Sequence, residues 1–230
     1  MARINVRNNI DIERNPVEKF LMKVKDVIKG NRKLVLYSFI SLLIAVVLLI
    51  VSSIIFEKRS ESQMVRYETI MQMYQLQGTE NPENIEKTIA ELKKLHDSSY
   101  FGFVHHMSLY SAGNLYYSVK KYKEAEEALV SFAGSTPSEL FAALALLKAS
   151  SAAEERADLD RAIEIYKTLE GKYLNGILDD QILYNMGRVY GLKNDKAMAK
   201  KYYNNIIMSY PQSPLAEKAK KRMLLLGLPK

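Results

Sequence analysis

The chain has 230 residues, 48% hydrophobic and 26% charged, with no cysteine, no tryptophan, 15 tyrosines, 3 histidines and a formal net charge of +7. Absent cysteines exclude a disulfide scaffold, a cysteine-based zinc site, a thiol nucleophile and a lipid anchor on an N-terminal cysteine; so few histidines leave little for metal or acid–base chemistry. Much of the apolar content is gathered in Leu34 to Phe56, a block without a charge, Gly or Pro, and the rest is a polar, Tyr- and Lys-rich chain of one modest domain.

Residues 1–33 form a basic leader expected in the cytoplasm. Within it Asn15-Pro16-Val17-Glu18 reads as an N-cap, a proline at the first helical position and a capping-box-like Glu, and Gly30 is a natural stop. Between them Val17, Phe20, Leu21, Val24, Val27 and Ile28 fall on one helical face with lysines opposite. Such a helix can lie on the inner leaflet, dock on another membrane protein, or remain solvated and serve topology alone.

Residues 34–56 are expected to be a transmembrane signal-anchor. At about 1.5 Å per residue the block makes a helix of roughly 34 Å, enough for a hydrocarbon core about 30 Å thick. Seventeen of its residues are Leu, Ile, Val or Phe, each favouring insertion by about 0.3 to 0.6 kcal/mol at the helix centre. A cleaved signal fits poorly, because the run is long and no small-x-small cleavage site comes after it. Seven Lys or Arg stand in residues 14–33 and three in 57–76, so the positive-inside rule keeps the N-terminus in the cytoplasm and exports the remainder. In a bacterium this means an inner-membrane, single-pass protein with a periplasmic C-terminal domain. The leader holds +5 of the net charge, which removes the chief support for nucleic-acid binding.

Beyond the anchor no alternating pattern with hairpin turns occurs, so the fold class is all-α. In residues 57–102, Met64, Tyr67, Met71 and Tyr74 form one stripe and Ile85, Ile89, Leu92 and Leu95 another, separated by Gly78 to Pro82. They predict degenerate membrane-proximal helices that cap the C-terminal part of the chain.

Residues 103–230 carry a repeat. Leu109, Ala112-Gly113, Tyr116, Ala125, Leu129, Phe132 and Pro137 align with Leu183, Met186-Gly187, Tyr190, Ala199, Tyr203, Ile206 and Pro211, all 74 residues later. A middle copy with Leu146, Ala149-Ser150, Ala153, Ala162, Tyr166 and Leu169 sets the step at 37 and lacks the terminal proline. The predicted units are about 103–139, 140–176 and 177–212, with a capping helix over 213–227 opened by Ser213-Pro214. Small residues (Gly113, Ala125, Ala162, Gly187, Ala199) let paired helices approach, and Pro137 and Pro211 end the second helices. This order of small, aromatic, Ala, large apolar and Pro resembles the tetratricopeptide repeat, and implies a solenoid of antiparallel helix pairs.

The order of parts, from NPVEKFLMKVKDVIKGNRK through a single anchor to SSYFGFVHHMSLYSAGNLYYSVKKYKEAEEALVSFA, is similar to the YfgM family, the ancillary subunit of the bacterial Sec translocon. The resemblance implies a periplasmic domain that helps exported chains through contacts with the translocon and chaperones. The third unit, MGRVYGLKNDKAMAKKYYNNIIMSYPQSPLAEKA, ends more like the repeats of envelope-assembly adaptors of the BamD and CpoB type.

In such an array the first helices of the pairs line the groove, which places Tyr110, Asn114, Tyr117, Leu147, Ser151, Tyr184 and Arg188 where an extended peptide would lie. Tyrosines also serve as ordinary packing between repeats. His105 and His106 point about 100° apart on a helix and cannot share a metal without outside ligands. Glu126-Glu127 and Asp179-Asp180 are expected to be solvated, and Lys218, Lys220, Lys221 and Arg222 to form a solvated face, the alternative being a site for an acidic partner or lipid headgroups. The expected function is a non-enzymatic protein-binding adaptor without cofactor, metal, nucleic-acid or small-molecule substrate. Its partners would be translocon subunits, exported chains or envelope-machine components, besides inner-membrane lipid. The alternative is a structural scaffold of an envelope machine such as the spirochaete flagellar collar.

Overall fold

The computed structural model describes residues 16–79, 81–100, 102–173 and 176–227. Among them are ten α-helices and no strand: α1 Pro16–Gly30, α2 Arg32–Leu76, α3 Pro82–Ser98, α4 Phe103–Ser118, α5 Tyr122–Ser135, α6 Glu139–Glu155, α7 Leu159–Tyr173, α8 Asp179–Leu192, α9 Lys196–Ser209 and α10 Pro214–Leu225. The chain divides into two units, Met1–Lys58 and Arg59–Lys230.

The first unit contains α1 and the apolar stretch of α2. Asn31 alone separates the two helices. No residue of α2 is buried, and Leu34, Phe39, Leu43, Leu48 and Ile55 are each more than half exposed. The helix is long and apolar enough to cross a membrane. The expected Asn15 cap, Arg14 and the side chains of Glu18, Val27 and Ile28 lie outside the described residues.

The second unit is built from local signals that start helices and apolar stripes that pack them. Asn81, Ser138, Asp195 and Ser213 each accept a backbone N–H at the start of a helix, from Glu83, Phe141, Met198 and Leu215. Each such cap stabilises its helix by about 1 kcal/mol. Pro82 and Pro214 stand in first turns, where no N–H is needed.

Three helix pairs come next: α4 with α5, α6 with α7, and α8 with α9. The turn inside every pair has the same construction. Lys120, Ala157 and Asn194, spaced 37 residues apart, adopt φ of +63°, +58° and +63°. The next residue's N–H reaches back to a carbonyl five residues earlier: Lys121 to Tyr116 (2.9 Å), Asp158 to Ala153 (3.0 Å) and Asp195 to Tyr190 (2.9 Å). This is the Schellman closure, in which one left-handed residue turns the chain and satisfies an orphan carbonyl. Only Asn194 is a residue type that favours the left-handed region.

Neighbouring helices in sequence are neighbours in space from α3 to α10, and the first helices α4 and α6 also touch. The main core runs through α5 to α10 and includes Leu129, Phe132, Leu169, Ile182, Met186, Tyr203 and Ile206, all at most 1% exposed. Each such side chain contributes about 1.5–3 kcal/mol of transfer energy. A smaller core joins Ile85, Ile89 and Leu92 of α3 to Ala112 and Leu115 of α4, with Tyr67, Ile70, Met71 and Tyr74 of α2 packed on it. Tyr67 fastens this end by a 2.9 Å hydroxyl hydrogen bond with Ser111. At the other end α10 packs on α8 and α9 through Ala216, Ala219 and Met223.

Small residues set the distance within pairs. A Cβ built on Gly113 would stand 2.8 Å from Leu129 Cγ, and one on Gly187 would stand 2.7 Å from two ring carbons of Tyr203. Ala125, Ala162 and Ala199 are fully buried, whereas Pro137 and Pro211 are exposed just beyond α5 and α9.

Candidate partner-binding surface

The seven groove candidates lie on the first helices α4, α6 and α8. Six are partly exposed; Leu147 is buried, 7% exposed, and belongs to the core. Tyr110 leans on Phe132 (ring centroids 4.9 Å apart) and on Phe141 of α6 (6.1 Å). Tyr117 meets Tyr122 edge-on at 5.3 Å, and the Lys148 ammonium of α6 sits 4.3 Å above its ring. Burial first, then the Glu155 carboxylate, pushes the Tyr117 hydroxyl above its ordinary pKa. These contacts weld α4 and α6 into one surface to which Phe141 and Lys148 belong, two residues that repeat alignment does not single out.

Several polar groups of the set are already committed. Asn114 Nδ2 donates to Tyr110 O (2.9 Å) and Ser151 Oγ donates to Leu147 O (3.0 Å), both back along their own helices. Arg188 closes on Glu154 of α6 through two nitrogens, Nη1 to Oε2 at 2.5 Å and Nη2 to Oε1 at 2.7 Å. The Tyr166 hydroxyl donates to the same carboxylate at 3.0 Å. Burial opposes the Arg188 charge, but the Glu154 hydrogen bonds and charge outweigh it and hold the guanidinium above its ordinary pKa. Burial first and then Glu154 raise the Tyr166 hydroxyl. The guanidinium is thereby a strut between the second and third pairs. Tyr184 is half-exposed on α8, its ring 6.0 Å from Tyr203 of α9.

Glu154–Arg188 is one of a series. Glu126 accepts from Arg161 Nε at 2.6 Å and also from Arg156. Tyr202 donates to Glu170 at 3.0 Å, Tyr210 to Asp179 at 2.6 Å and Ser213 to Asp180 at 2.5 Å; Lys193 pairs with Asp160. Partners in the series are 30 to 35 residues apart, close to one repeat. The expectation that Glu126 and Asp179 are solvated is therefore corrected: they are 6% and 2% exposed, Glu126 because Arg156 and Arg161 of the next repeat supply its donors, and Asp179 because Tyr210, at the end of its own helix pair, and the Gly176 N–H donate to it. Glu127 is exposed and Asp180 partly so. The Asp179 hydrogen bond, with burial second, lifts the Tyr210 hydroxyl to about 12.

All three histidines meet where α3 joins α4. The His96 and His105 rings stack with centroids 4.0 Å apart, and His106 stands edge-on to His105 at 5.2 Å. Their Nδ1 atoms are turned to local oxygens: His96 to His105 O (2.8 Å), His105 to Ser99 O, and His106 to Ser135 Oγ (3.3 Å). Among the described residues no group of three His, Cys, Asp or Glu is placed to hold a metal ion. The basic row Lys218, Lys220, Lys221 and Arg222 of α10 is exposed, with Lys220 paired to Glu217 at 2.6 Å. A separate open cleft of about 350 Å³ lies between the start of α6 and the end of α7, lined by Leu140, Tyr173 and Ile177 with Glu139 and Lys172.

No curated protein matches this chain. Residues 180–213, which are α8, α9 and the turn beyond them, match the family model of the tetratricopeptide repeat, a protein-binding scaffold module without catalytic machinery of its own.

Proposed function

We propose that the chain is an adaptor anchored in the bacterial inner membrane by Leu34–Phe56, with residues 57–102 as a membrane-proximal spacer. Residues 103–230 are an exported repeat array that binds proteins around the Sec translocon. One observation supports the binding reading: the first helices α4, α6 and α8 carry half-exposed aromatic, amide and ammonium groups, and Tyr110, Phe141, Tyr117 and Lys148 meet across α4 and α6. Tyr110, Tyr117, Phe141 and Tyr184 offer flat apolar area at low entropic cost, as peptide grooves do, and Lys148 adds a positive charge. Arg188 joins repeats through Glu154, and Leu147 belongs to the core beneath this surface. The uncovered apolar length of α2 supports the anchor, since lipid is the solvent such a surface fits. Anchoring raises the local concentration of the array at the membrane, so modest groove affinity suffices. The translocon itself is inferred from the likeness to the YfgM family in the order of parts.

The test is site-specific photocrosslinking of the full chain in its native membrane. A photoreactive residue at Tyr117 should give adducts with translocon subunits or exported chains, and one at Lys167, exposed on the second helix α7, should not. Adducts with structural components of an envelope machine would replace the translocon reading by the scaffold one. Equal labelling from both positions would refute the groove.

A further inference from the structure

We infer that α1 is an interfacial helix that lies on the cytoplasmic leaflet and binds anionic lipid headgroups. This rests on the anchor reading above. Phe20, Leu21 and Val24 are 65%, 58% and 38% exposed, so a face that would form a core in a soluble helix is left open. At about 100° per residue these three side chains span an arc of about 100°, the width of a face built to be buried. Lys25 borders the arc on one side, Lys23 and Lys29 stand lower on opposite flanks, and Asp26 occupies the far pole. Lysines flanking an apolar face can lay their stems along the acyl boundary and lift their charges to headgroup level.

The short link to the anchor decides which surface covers this face. α1 ends at Gly30, Asn31 forms the only residue of turn, α2 begins at Arg32 and its apolar run at Leu34. Three residues of helix rise about 4.5 Å, and the headgroup layer on each side of the hydrocarbon is about 5–7 Å deep. The end of α1 is therefore held inside the headgroup layer, where an exposed apolar face meets acyl chains at little further entropic cost. The lysine excess sets the sign of the lipid. The described part of α1 and the turn into α2 carry Lys23, Lys25, Lys29, Arg32 and Lys33 against Asp26, which complements the negative cytoplasmic leaflet.

The lack of cysteine makes the experiment direct. Leu21→Cys, Asp26→Cys and Ile44→Cys each carry one environment-sensitive fluorophore in the full chain, reconstituted in vesicles of phosphatidylcholine with or without phosphatidylglycerol. Quenching by neutral, aqueous acrylamide is measured. With phosphatidylglycerol, the Leu21 probe should be protected and the Asp26 probe quenched. Adding Lys23→Gln and Lys25→Gln should loosen the docked state about 25-fold, at about fivefold per lysine. A protected Ile44 probe with Leu21 quenched like Asp26 overturns the interfacial helix and leaves the anchor standing. A quenched Ile44 probe overturns the anchor and this inference with it. Leu21 protection that is indifferent to phosphatidylglycerol overturns the anionic assignment, and protection that fades as protein is diluted in lipid identifies self-association instead.

Discussion

Replacing Arg188 by Met tests whether the guanidinium is a strut between repeats. The substitution keeps the apolar stem and leaves the Glu154 carboxylate without its cation, in a site where that side chain is 10% exposed and Tyr166 is fully buried. Removing one partner of a buried pair costs about 3–5 kcal/mol. Arg188 is itself 29% exposed, so water reaches part of the site and the lower end applies, about 3 kcal/mol. For a protein of this size that is a fall of about 6–12 °C in Tm. Glu154→Gln removes the charge while its amide oxygen can still accept from Tyr166, so the double variant Glu154→Gln/Arg188→Met should be more stable than Arg188→Met alone. The coupling from the cycle should be about 2 kcal/mol. Far-ultraviolet circular dichroism during urea unfolding of the detergent-solubilised full chain reads all four proteins. Additive single effects, or an Arg188→Met variant within about 0.5 kcal/mol of the parent, the usual span of surface substitutions, would show that the pair does not join the repeats.

Other outcomes rest on the same packing. Gly187→Ala drives a Cβ into the buried Tyr203 ring and should lose about 1–2 kcal/mol after its gain in helix propensity, whereas Gly171→Ala, whose Cβ would meet nothing within 4 Å among the described residues, should gain about 0.5–1 kcal/mol; calorimetry would give shifts of opposite sign. Ala157 holds a left-handed conformation, so Ala157→Gly should raise stability by about 1 kcal/mol, and an unchanged urea midpoint would contradict the Schellman geometry there. The buried Ser108 hydroxyl has no hydrogen-bond partner among the described residues, and Ser108→Ala should stabilise the fold by about 1 kcal/mol. Burial, then His105 and His96, hold the His106 imidazole below its ordinary value of 6.5. The unfolded chain then binds more protons as pH falls below 6.5, so this contribution is complete above that pH and lost as pH falls through the depressed native value. His106→Gln should flatten that part of the stability–pH curve.

Much of the architecture is legible locally. The apolar block, the stripes of residues 64–95 and the helix opening at Ser213-Pro214 are contiguous patterns, and a helix obeys its own neighbours. The 37-residue step is visible in the small and aromatic residues, and the turns carry it more strictly: Lys120, Ala157 and Asn194 share one conformation and no residue type. Backbone closure by a carbonyl five residues back does not need a particular side chain, so it leaves no mark in the alignment. For the proposed groove, the helix that carries each residue is legible and the chemistry less so. Tyr110 and Tyr117 stand half-exposed on α4, while Phe141 and Lys148 join them through contacts between helices that alignment within one helix does not register.

Composition and periodicity suffice to make the chain helical, to single out one membrane-compatible helix and to set the repeat length, because these depend on residues one to four positions apart. Which polar groups remain free for a partner is settled across distances of about one repeat. Arg188 is spent on Glu154, Glu126 on Arg156 and Arg161, and Asp179 on Tyr210. A charge buried between stacked helices persists when a second segment brings its counter-charge, and that segment arrives only when the stack has formed.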